Sequence, residues 1–458
     1  MNQPTTPPQT KRTNVRYGIV FFLFLLTSLN FADRATLSMV GTDVSKKFGL
    51  DNVTLGYLLS AFSWSYVLAQ LPGGWLLDRK GPKQVYLWSI ILWSLFTLLQ
   101  GCTFGGDSFF TIPRPFMTPM LVSGAVLMLF GLRFFLGVAE APSFPANSRI
   151  VASWFPTAER GTATAIFNSA QYAATVIFTP MMGWIIHNFG WQQVFFFMGG
   201  VGLLFAAAWP RLIYAPSEHP RANAAEVEHI ASGGGLIEMG KPVSKPGAKG
   251  GWPVMKQLLG NRMLLGIYFG QYCITTLTWF FLTWFPIYLV KERHMSILKV
   301  GFVAVLPALC GLTGGILGGL FSDFLLRRGC SLTVARKTPI VGGLLLSVSM
   351  VGCNYVSAEA AVIALMSLAY FGKGIGALGW AVVSDSSPKE SMGLSGGLFN
   401  MFGNIAGITT PIAIGYIVDR THSFNGALVF VGAHALLGVI SFLFVVGEIK
   451  RVELRATA

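Results

Sequence analysis

The sequence predicts an all-α polytopic membrane protein, with twelve transmembrane helices arranged in two pseudo-symmetric bundles of six. The first observation is composition: of 458 residues, 53% are hydrophobic and 11% are charged, whereas about a quarter of a soluble domain is charged. The second is a series of apolar segments of about 20 residues, each long enough to span a bilayer. The third is that motifs of the first half return in the second half, which indicates a duplicated unit.

The apolar segments fall into two groups of six, separated by a long hydrophilic break that is rich in Gly, Pro and charged residues. We therefore expect a tail at 1–16, an N-terminal bundle at 17–213, a central loop at 214–258 outside the transport site, a C-terminal bundle at 259–447 and a tail at 448–458. The predicted spans are 17–40, 54–77, 83–103, 121–148, 161–187, 191–213, 262–289, 298–326, 337–355, 359–385, 391–418 and 424–447.

The distribution of basic residues predicts the orientation of the chain. With twelve spans both termini lie on one side, and a cytoplasmic placement puts 23 of the 33 Lys and Arg residues in inner loops and tails. The reverse orientation would violate the positive-inside rule. This bias accounts for the net charge of +14, so we expect membrane lipid as a partner and no nucleic acid.

A loop motif with Gly, Asp and basic residues follows the second span and returns after the eighth, as "GGWLLDRKGPKQ" and "GGLFSDFLLRRG". We predict that these loops form a gate on the cytoplasmic side. The alternative is that their basic residues reflect topology alone. The gating candidates are Gly74, Asp78, Arg79, Gly319, Asp323 and Arg327.

The same motifs resemble those of the major facilitator superfamily, and "GGWLLDRKGPK" has the pattern of that family's loop between spans 2 and 3. "NFADRATLS", "SAFSWSYVLAQLPGGWLLD", "GVAEAPSFPANSRIVASWFPTAERG" and "WFFLTWFPIYL" are similar to its anion:cation symporter family. "ARKTPI", "SDSSPKE" and "SILKVG" resemble the bacterial galactarate/glucarate transporters within that family. The resemblance implies uptake of a sugar acid by alternating access in the bacterial inner membrane. It also implies a monomer that uses protons as the coupling ion and needs no cofactor.

Charged residues within the predicted spans are the leading functional candidates, because a charge there costs about 2.5 to more than 10 kcal/mol. Asp33 and Arg34 point about 100° apart around a helix, so they can have separate roles. We expect Arg34 to bind a substrate carboxylate through two hydrogen bonds and Asp33 to carry a proton. The alternative is a fixed ion pair with a neighbouring helix.

The segment "GVAEAPSFP" places Glu140 beside two prolines, which remove backbone hydrogen bonds from the helix. A carboxyl group at such a break predicts a second proton carrier. Arg133 lies two turns earlier on nearly the same face. Its role stays open between proton coupling and a permanent ion pair with Glu140.

Lys373 lies in "YFGKGIGALGW", where neighbouring glycines leave room for a polar ligand. A sugar diacid has a second carboxylate to neutralise. Arg34 from one half and Lys373 from the other could hold the two ends of such a ligand. The alternative is that Lys373 pairs with Asp33 or Glu140 and never meets the substrate.

Uncharged residues at positions that line the cavity of similar carriers complete the expected substrate site. Amides and phenols hydrogen-bond sugar hydroxyls, and an indole packs on their CH faces. Phe31 replaces a tyrosine found in some relatives, so one hydroxyl contact is missing. Any one of these residues could instead serve helix packing. The candidates at such positions are Tyr66, Gln171, Trp380, Asn400 and Phe31, and Tyr272 near the start of the seventh span is a further candidate.

Other functions are weighed against this expectation. A carrier of a monocarboxylic sugar acid, such as galactonate or a hexuronate, fits the same motifs. An organic-anion antiporter or a drug efflux carrier would prefer an apolar cavity with few cations, which Arg34 and Lys373 argue against. An enzyme is not expected, since the sequence has no P-loop, nucleotide fingerprint, zinc triad or nucleophile elbow.

Overall fold

Helices dominate the computed structural model, which describes residues 12–103, 109–114, 117–156, 159–239, 252–388 and 391–454. The elements up to the central segment are α1 (Val15–Phe48), α2 (Asn52–Lys80), α3 (Pro82–Gly101), β1 (Phe109–Arg114), β2 (Met117–Ser123), α4 (Gly124–Glu140), α5 (Ser143–Trp154), α6 (Arg160–Phe189), α7 (Gln192–Leu212) and α8 (Ala224–Ser232). The remaining α-helices are α9 (Trp252–Gly260), α10 (Arg262–Trp279), α11 (Phe285–Lys291), α12 (Ile297–Val303), α13 (Val305–Arg327), α14 (Leu332–Ser347), α15 (Glu359–Ile375), α16 (Gly379–Ser386), α17 (Met392–Thr421) and α18 (Asn425–Ile440).

Ten helical segments in the described ranges are long and apolar enough to cross a membrane. The other two predicted spans coincide with α2 and α6, which have 29 and 30 residues. The predicted all-α membrane fold is therefore confirmed. The fourth span begins later than predicted, because residues 117–123 pair antiparallel with β1 and the membrane helix begins only at Gly124. Pro119 explains this difference, since the residue before a proline prefers extended backbone.

Polar side chains in the loops fix where several helices begin. Asp51 accepts a hydrogen bond from the backbone N–H of Thr54 at 2.8 Å at the start of α2. Asn261 and Ser331 cap α10 and α14 in the same way. Each cap satisfies a backbone donor that has no partner inside the helix. Gly49 ends α1 with a φ of 63°, a left-handed conformation that glycine adopts without strain.

Membrane helices break at equivalent positions in the two halves. The fourth span is interrupted between α4 and α5, directly after Glu140. The tenth span is interrupted between α15 and α16, and Lys373 lies in the last turn before that break. Pro142 explains the first break, since proline cannot continue the hydrogen-bond ladder. The duplicated fold thus brings one acid and one base to corresponding points of its two halves.

The two halves pack closely near the face opposite to the termini. The Ser38 hydroxyl donates to the backbone carbonyl of Thr283 at 2.6 Å, and the Lys291 ammonium donates to the Asn52 side chain at 2.9 Å. Gly56 permits the approach of α17, since a Cβ there would lie 2.5 Å from a backbone oxygen of that helix. Small residues allow such close contact between membrane helices. This face is closed in the structure.

The central segment docks onto the N-terminal half through α8. The fully buried Glu226 carboxylate accepts hydrogen bonds from the Thr13 hydroxyl at 2.6 Å and the Val15 backbone N–H at 3.1 Å. It also pairs with the Arg16 guanidinium at 3.3 Å. Glu226 therefore compensates the unpaired N–H groups at the start of α1. These contacts lie on the face that carries the termini, away from the cavity between the halves.

Candidate functional site

A cavity lies between the two halves at mid-height of the bundle. It holds about 620 Å³ of empty space, part of it continuous with solvent. Helices α1 and α6 of the first half contribute Phe31 and Gln171. The second half contributes Thr278 and Phe281 from the seventh span and Tyr370 from α15. The lining is mostly apolar and aromatic with a few polar groups, as in sites for small ligands.

Arg34 and Glu140 form a buried ion pair beside this cavity. The Arg34 Nε donates to Glu140 Oε2 at 2.9 Å, and its Nη2 donates to the Asn30 side-chain carbonyl at 2.9 Å. Four aromatic rings surround the guanidinium, with centroids between 4.7 and 5.9 Å from its central carbon. These rings belong to Phe31, Phe62, Tyr66 and Phe144. Phe31 also lines the cavity, so it contacts both the guanidinium and the empty space.

Asp33 has a different environment from its neighbour. Its side chain is fully buried, and neither carboxylate oxygen has a hydrogen-bond partner among the residues that the structure describes. Arg133 donates to the backbone carbonyls of Asp33 at 3.0 Å and Arg34 at 3.2 Å. Arg133 thus fixes the backbone of α1 rather than forming the predicted alternative pair with Glu140. The two adjacent charges of α1 do point to separate surroundings, as their helical spacing predicts.

Lys373 belongs to the second half, contacts the cavity-lining residue Tyr370 and is 3% exposed. Its ammonium faces the rings of Tyr172 at 5.4 Å and Tyr370 at 5.2 Å. It pairs with no acid in the described part of the chain, so neither Asp33 nor Glu140 is its partner here. An unpaired ammonium in such a place is costly unless a ligand compensates it.

The uncharged candidates lie in two groups. Phe31 and Gln171 line the cavity, and Tyr66 stacks on Phe62 beside Arg34. Tyr272, Asn400 and Trp380 belong to the second half, and none of the three lines this cavity. Tyr272 hydrogen-bonds the Thr409 hydroxyl at 2.9 Å and Asn400 accepts from Asn404 at 3.2 Å. Trp380 is 54% exposed and packs edge-on against Phe399.

The predicted gating residues lie at the face that carries the termini. Asp323 approaches Arg336 at 3.9 Å, and Arg336 also pairs with Asp385 at 2.8 Å. This network joins α13, α14 and α16 within the second half. Gly74 and Gly319 each have open space where a Cβ would project, and Arg79 lies over the ring of Trp75. Asp78's side chain is outside the described residues, and Arg327 ends α13.

Sequence reasoning identified Phe31 and Tyr66 but missed four other aromatic residues around the two cations: Phe62, Phe144, Tyr172 and Tyr370. Tyr172 directly follows the candidate Gln171, and Tyr370 lies one helical turn before Lys373. A spacing of three residues places side chains on the same helix face, so Tyr370 could have been found from Lys373. Phe144 and Asn30 carried no comparable signal, because their contacts with Arg34 depend on how α1, α4 and α5 pack.

Comparison with known proteins supports the fold and places the chain among transporters. It is 60% identical to the "probable galactarate/D-glucarate transporter GudP" of Escherichia coli K12, over 98% of this chain and 97% of that protein. It is 37% identical to a D-galactonate transporter of an E. coli O6:H1 strain, over 95% and 97%. A solved D-xylose-proton symporter has the same fold, with a TM-score of 0.70 at 15% identity and coverage of 95% and 99%. The Major Facilitator Superfamily model matches residues 23–411, and with this arrangement of membrane helices the chain belongs to that superfamily as a multi-pass membrane protein.

Proposed function

We propose that this chain imports sugar diacids, galactarate and glucarate, together with protons through the bacterial inner membrane. The observation that carries the proposal is a pair of buried cations, one from each half, each in contact with an aromatic residue that lines the cavity. Arg34 comes from the first half, and Lys373 comes from the second and has no acid partner among the described residues. Relatives at 60% and 53% identity bear the names of galactarate/D-glucarate transporters. A dianion in a low-dielectric cavity needs both of its charges compensated.

Glu140 supplies the link to the proton in this mechanism. Its carboxylate occupies the Nε edge of Arg34. Protonation of Glu140 removes its negative charge and frees the guanidinium for a carboxylate of the substrate. Release of the proton restores the ion pair and expels the substrate carboxylate. Because ionised Glu140 and the substrate carboxylate compete for the guanidinium of Arg34, proton binding and substrate binding are thermodynamically coupled.

Asp33 is the second proton carrier in the proposal. Its carboxyl group is buried without a hydrogen-bond partner in the described residues, one position from the substrate-binding arginine. Arg133 positions both residues through their backbone carbonyls. The termini are cytoplasmic in this scheme, so the closed face is the outer one and the structure is inward-facing. The protein acts as a monomer, and protons are its coupling ions without another cofactor.

Uptake into proteoliposomes tests the function directly. Vesicles with an imposed inward proton gradient should accumulate labelled galactarate and glucarate, and a protonophore should abolish accumulation. Unlabelled galactarate, glucarate, galactonate and glucuronate are compared in counterflow. A preference for galactonate or glucuronate would contradict the diacid assignment. The substrate would then be a monocarboxylic sugar acid, as the name of the D-galactonate transporter indicates for that relative. Gradient-independent uptake would contradict proton coupling, and no transport of any sugar acid would refute the function.

A further inference from the structure

The surroundings of Lys373 have the features of an anion site. Lys373 is buried, with 3% of the residue exposed. A primary ammonium has three N–H donors, and Lys373 makes no hydrogen bond or ion pair with the residues in the described ranges. The rings of Tyr172 and Tyr370 stabilise the positive charge through cation–π contacts. These contacts do not provide oxygen acceptors for the three N–H groups. The donors are available to a ligand.

The two tyrosines bring further donors to the same place. Both rings are at most 8% exposed, and neither hydroxyl bonds to another group within the described chain. Their centroids are 6.0 Å apart in an edge-to-face arrangement. Gly311 on α13 makes room for them, since a Cβ there would lie 2.8 Å from the Tyr172 ring and 3.0 Å from the Tyr370 ring. The rings are therefore held together by packing, while their hydroxyls remain without partners.

The cluster joins the two halves of the protein at the cavity. Tyr172 belongs to α6 of the first half, whereas Tyr370 and Lys373 belong to α15 of the second. Tyr370 lines the cavity and stacks on Phe281 with centroids 4.2 Å apart. One cation and two phenol hydroxyls can together donate hydrogen bonds to both oxygens of a carboxylate.

We propose that Tyr172, Tyr370 and Lys373 form the subsite for the second carboxylate of the diacid, with the two phenol hydroxyls determining specificity. This inference rests on the proposed function and adds a recognition element to it. The carboxylate would accept hydrogen bonds from the ammonium and from hydroxyls of both halves, so its binding would favour their approach. If the two tyrosines had a purely structural role, only their rings would be required. Phenylalanine would then replace either tyrosine without weakening galactarate binding.

Binding to the purified full-length protein tests the subsite. Tyr172→Phe and Tyr370→Phe keep the rings and remove the hydroxyls. Each should weaken galactarate binding about 10- to 150-fold, the effect of losing a hydrogen bond to a charged group, and should change galactonate binding less than about 2-fold. Tyr86→Phe is the matched control, since Tyr86 is a buried tyrosine that packs on Trp209 in the first half. It should leave both affinities unchanged.

A double-mutant cycle supplies a second readout that does not depend on galactonate. In a Lys373→Asn background, either Tyr→Phe change should cost less than about 2-fold in galactarate affinity, because the carboxylate has already lost its anchor. Additive losses, unchanged galactarate binding in both Tyr→Phe variants, or equal losses for diacid and monoacid would overturn the subsite while leaving the proposed function standing. Wild-type protein that binds no sugar diacid would refute the proposed function and the subsite with it. Thermal unfolding shows whether a variant is misfolded. If one Tyr→Phe variant is misfolded, the variant at the other tyrosine tests the subsite.

Discussion

The guanidinium of Arg34 and the carboxylate of Glu140 meet at 2.9 Å between α1 and α4, with side chains that are 6% and 0% exposed. Removal of one partner of such a buried pair strongly destabilises the folded protein, since the other charge remains buried and uncompensated. Here the second oxygen of Glu140 has no hydrogen-bond partner among the described residues. The pair is thus incompletely satisfied, which suits a contact that must open during a transport cycle.

Glu140→Gln should abolish uphill uptake of galactarate and retain counterflow. The amide cannot bind a transported proton, and it leaves Arg34 permanently available to the substrate. Proteoliposomes with and without a proton gradient measure the difference. Glu228→Gln on α8 is the control for the same chemical change outside the cavity. Normal accumulation by the Glu140 variant would rule out its role in coupling.

Asp33→Asn, on α1, should also remove uphill uptake of galactarate. Asparagine preserves the size of the side chain and eliminates the group that is proposed to carry a proton. Substrate binding should persist, because Arg34 remains and protonation of Glu140 can still free it for the substrate carboxylate. Equilibrium binding and gradient-driven uptake are measured on the same preparation. Loss of binding together with transport would show that Asp33 shapes the site rather than carrying a proton.

Lys373→Asn should discriminate between diacids and monoacids. Galactarate or glucarate binding should weaken by about 2 kcal/mol or more, as expected when one partner of a desolvated charge pair is removed. Galactonate needs one cation only, so its binding should change little. Arg34→Ala should abolish transport of both kinds of substrate. Equal losses of diacid and monoacid in the Lys373 variant would assign Lys373 a structural or coupling role.

The stabilising effect of Glu159 should depend on pH. Burial raises its pKa, but a hydrogen bond with His229 at 3.1 Å and the charge of Arg16 outweigh this, so the pKa lies below its usual range. A lowered carboxyl pKa stabilises the folded state above the unfolded pKa of about 4.3, and this stabilisation disappears as pH falls through the folded pKa. Glu159→Gln should therefore unfold at a lower temperature than wild type at pH 7, with a smaller difference near pH 4.

Thermal unfolding of wild type and Glu159→Gln at both pH values measures this effect. Glu228→Gln, again on α8, should show no comparable dependence, because its carboxylate makes no ion pair among the described residues. A temperature difference that grows towards pH 4 would be inconsistent with the lowered pKa of Glu159. Galactarate binding should stay unchanged at pH 7, since these contacts lie outside the cavity.

The sequence alone determined the membrane fold, its twelve spans and the charged residues that a site needs. Apolar runs of bilayer length and the cost of charges inside them are properties of local sequence, so Asp33, Arg34, Glu140 and Lys373 stand out without a structure. The helical spacing of Asp33 and Arg34 also predicted their different surroundings. The start of the fourth span was less certain, because strand β2 is apolar as well and periodicity does not separate the two over a short run.

Only the tertiary structure decided which partners these residues have. The sequence left open whether Glu140 pairs with Arg133 and whether Lys373 pairs with an acid. The placement of α1 and α4 within the first half brings Glu140 to Arg34, and Arg133 donates instead to backbone carbonyls of α1. Packing of both α6 and α15 against α13 places Tyr172 beside Lys373, with about 200 residues between them in the sequence. Ion pairs and ring contacts form between side chains brought together from distant segments, and that proximity is set by how whole helices pack.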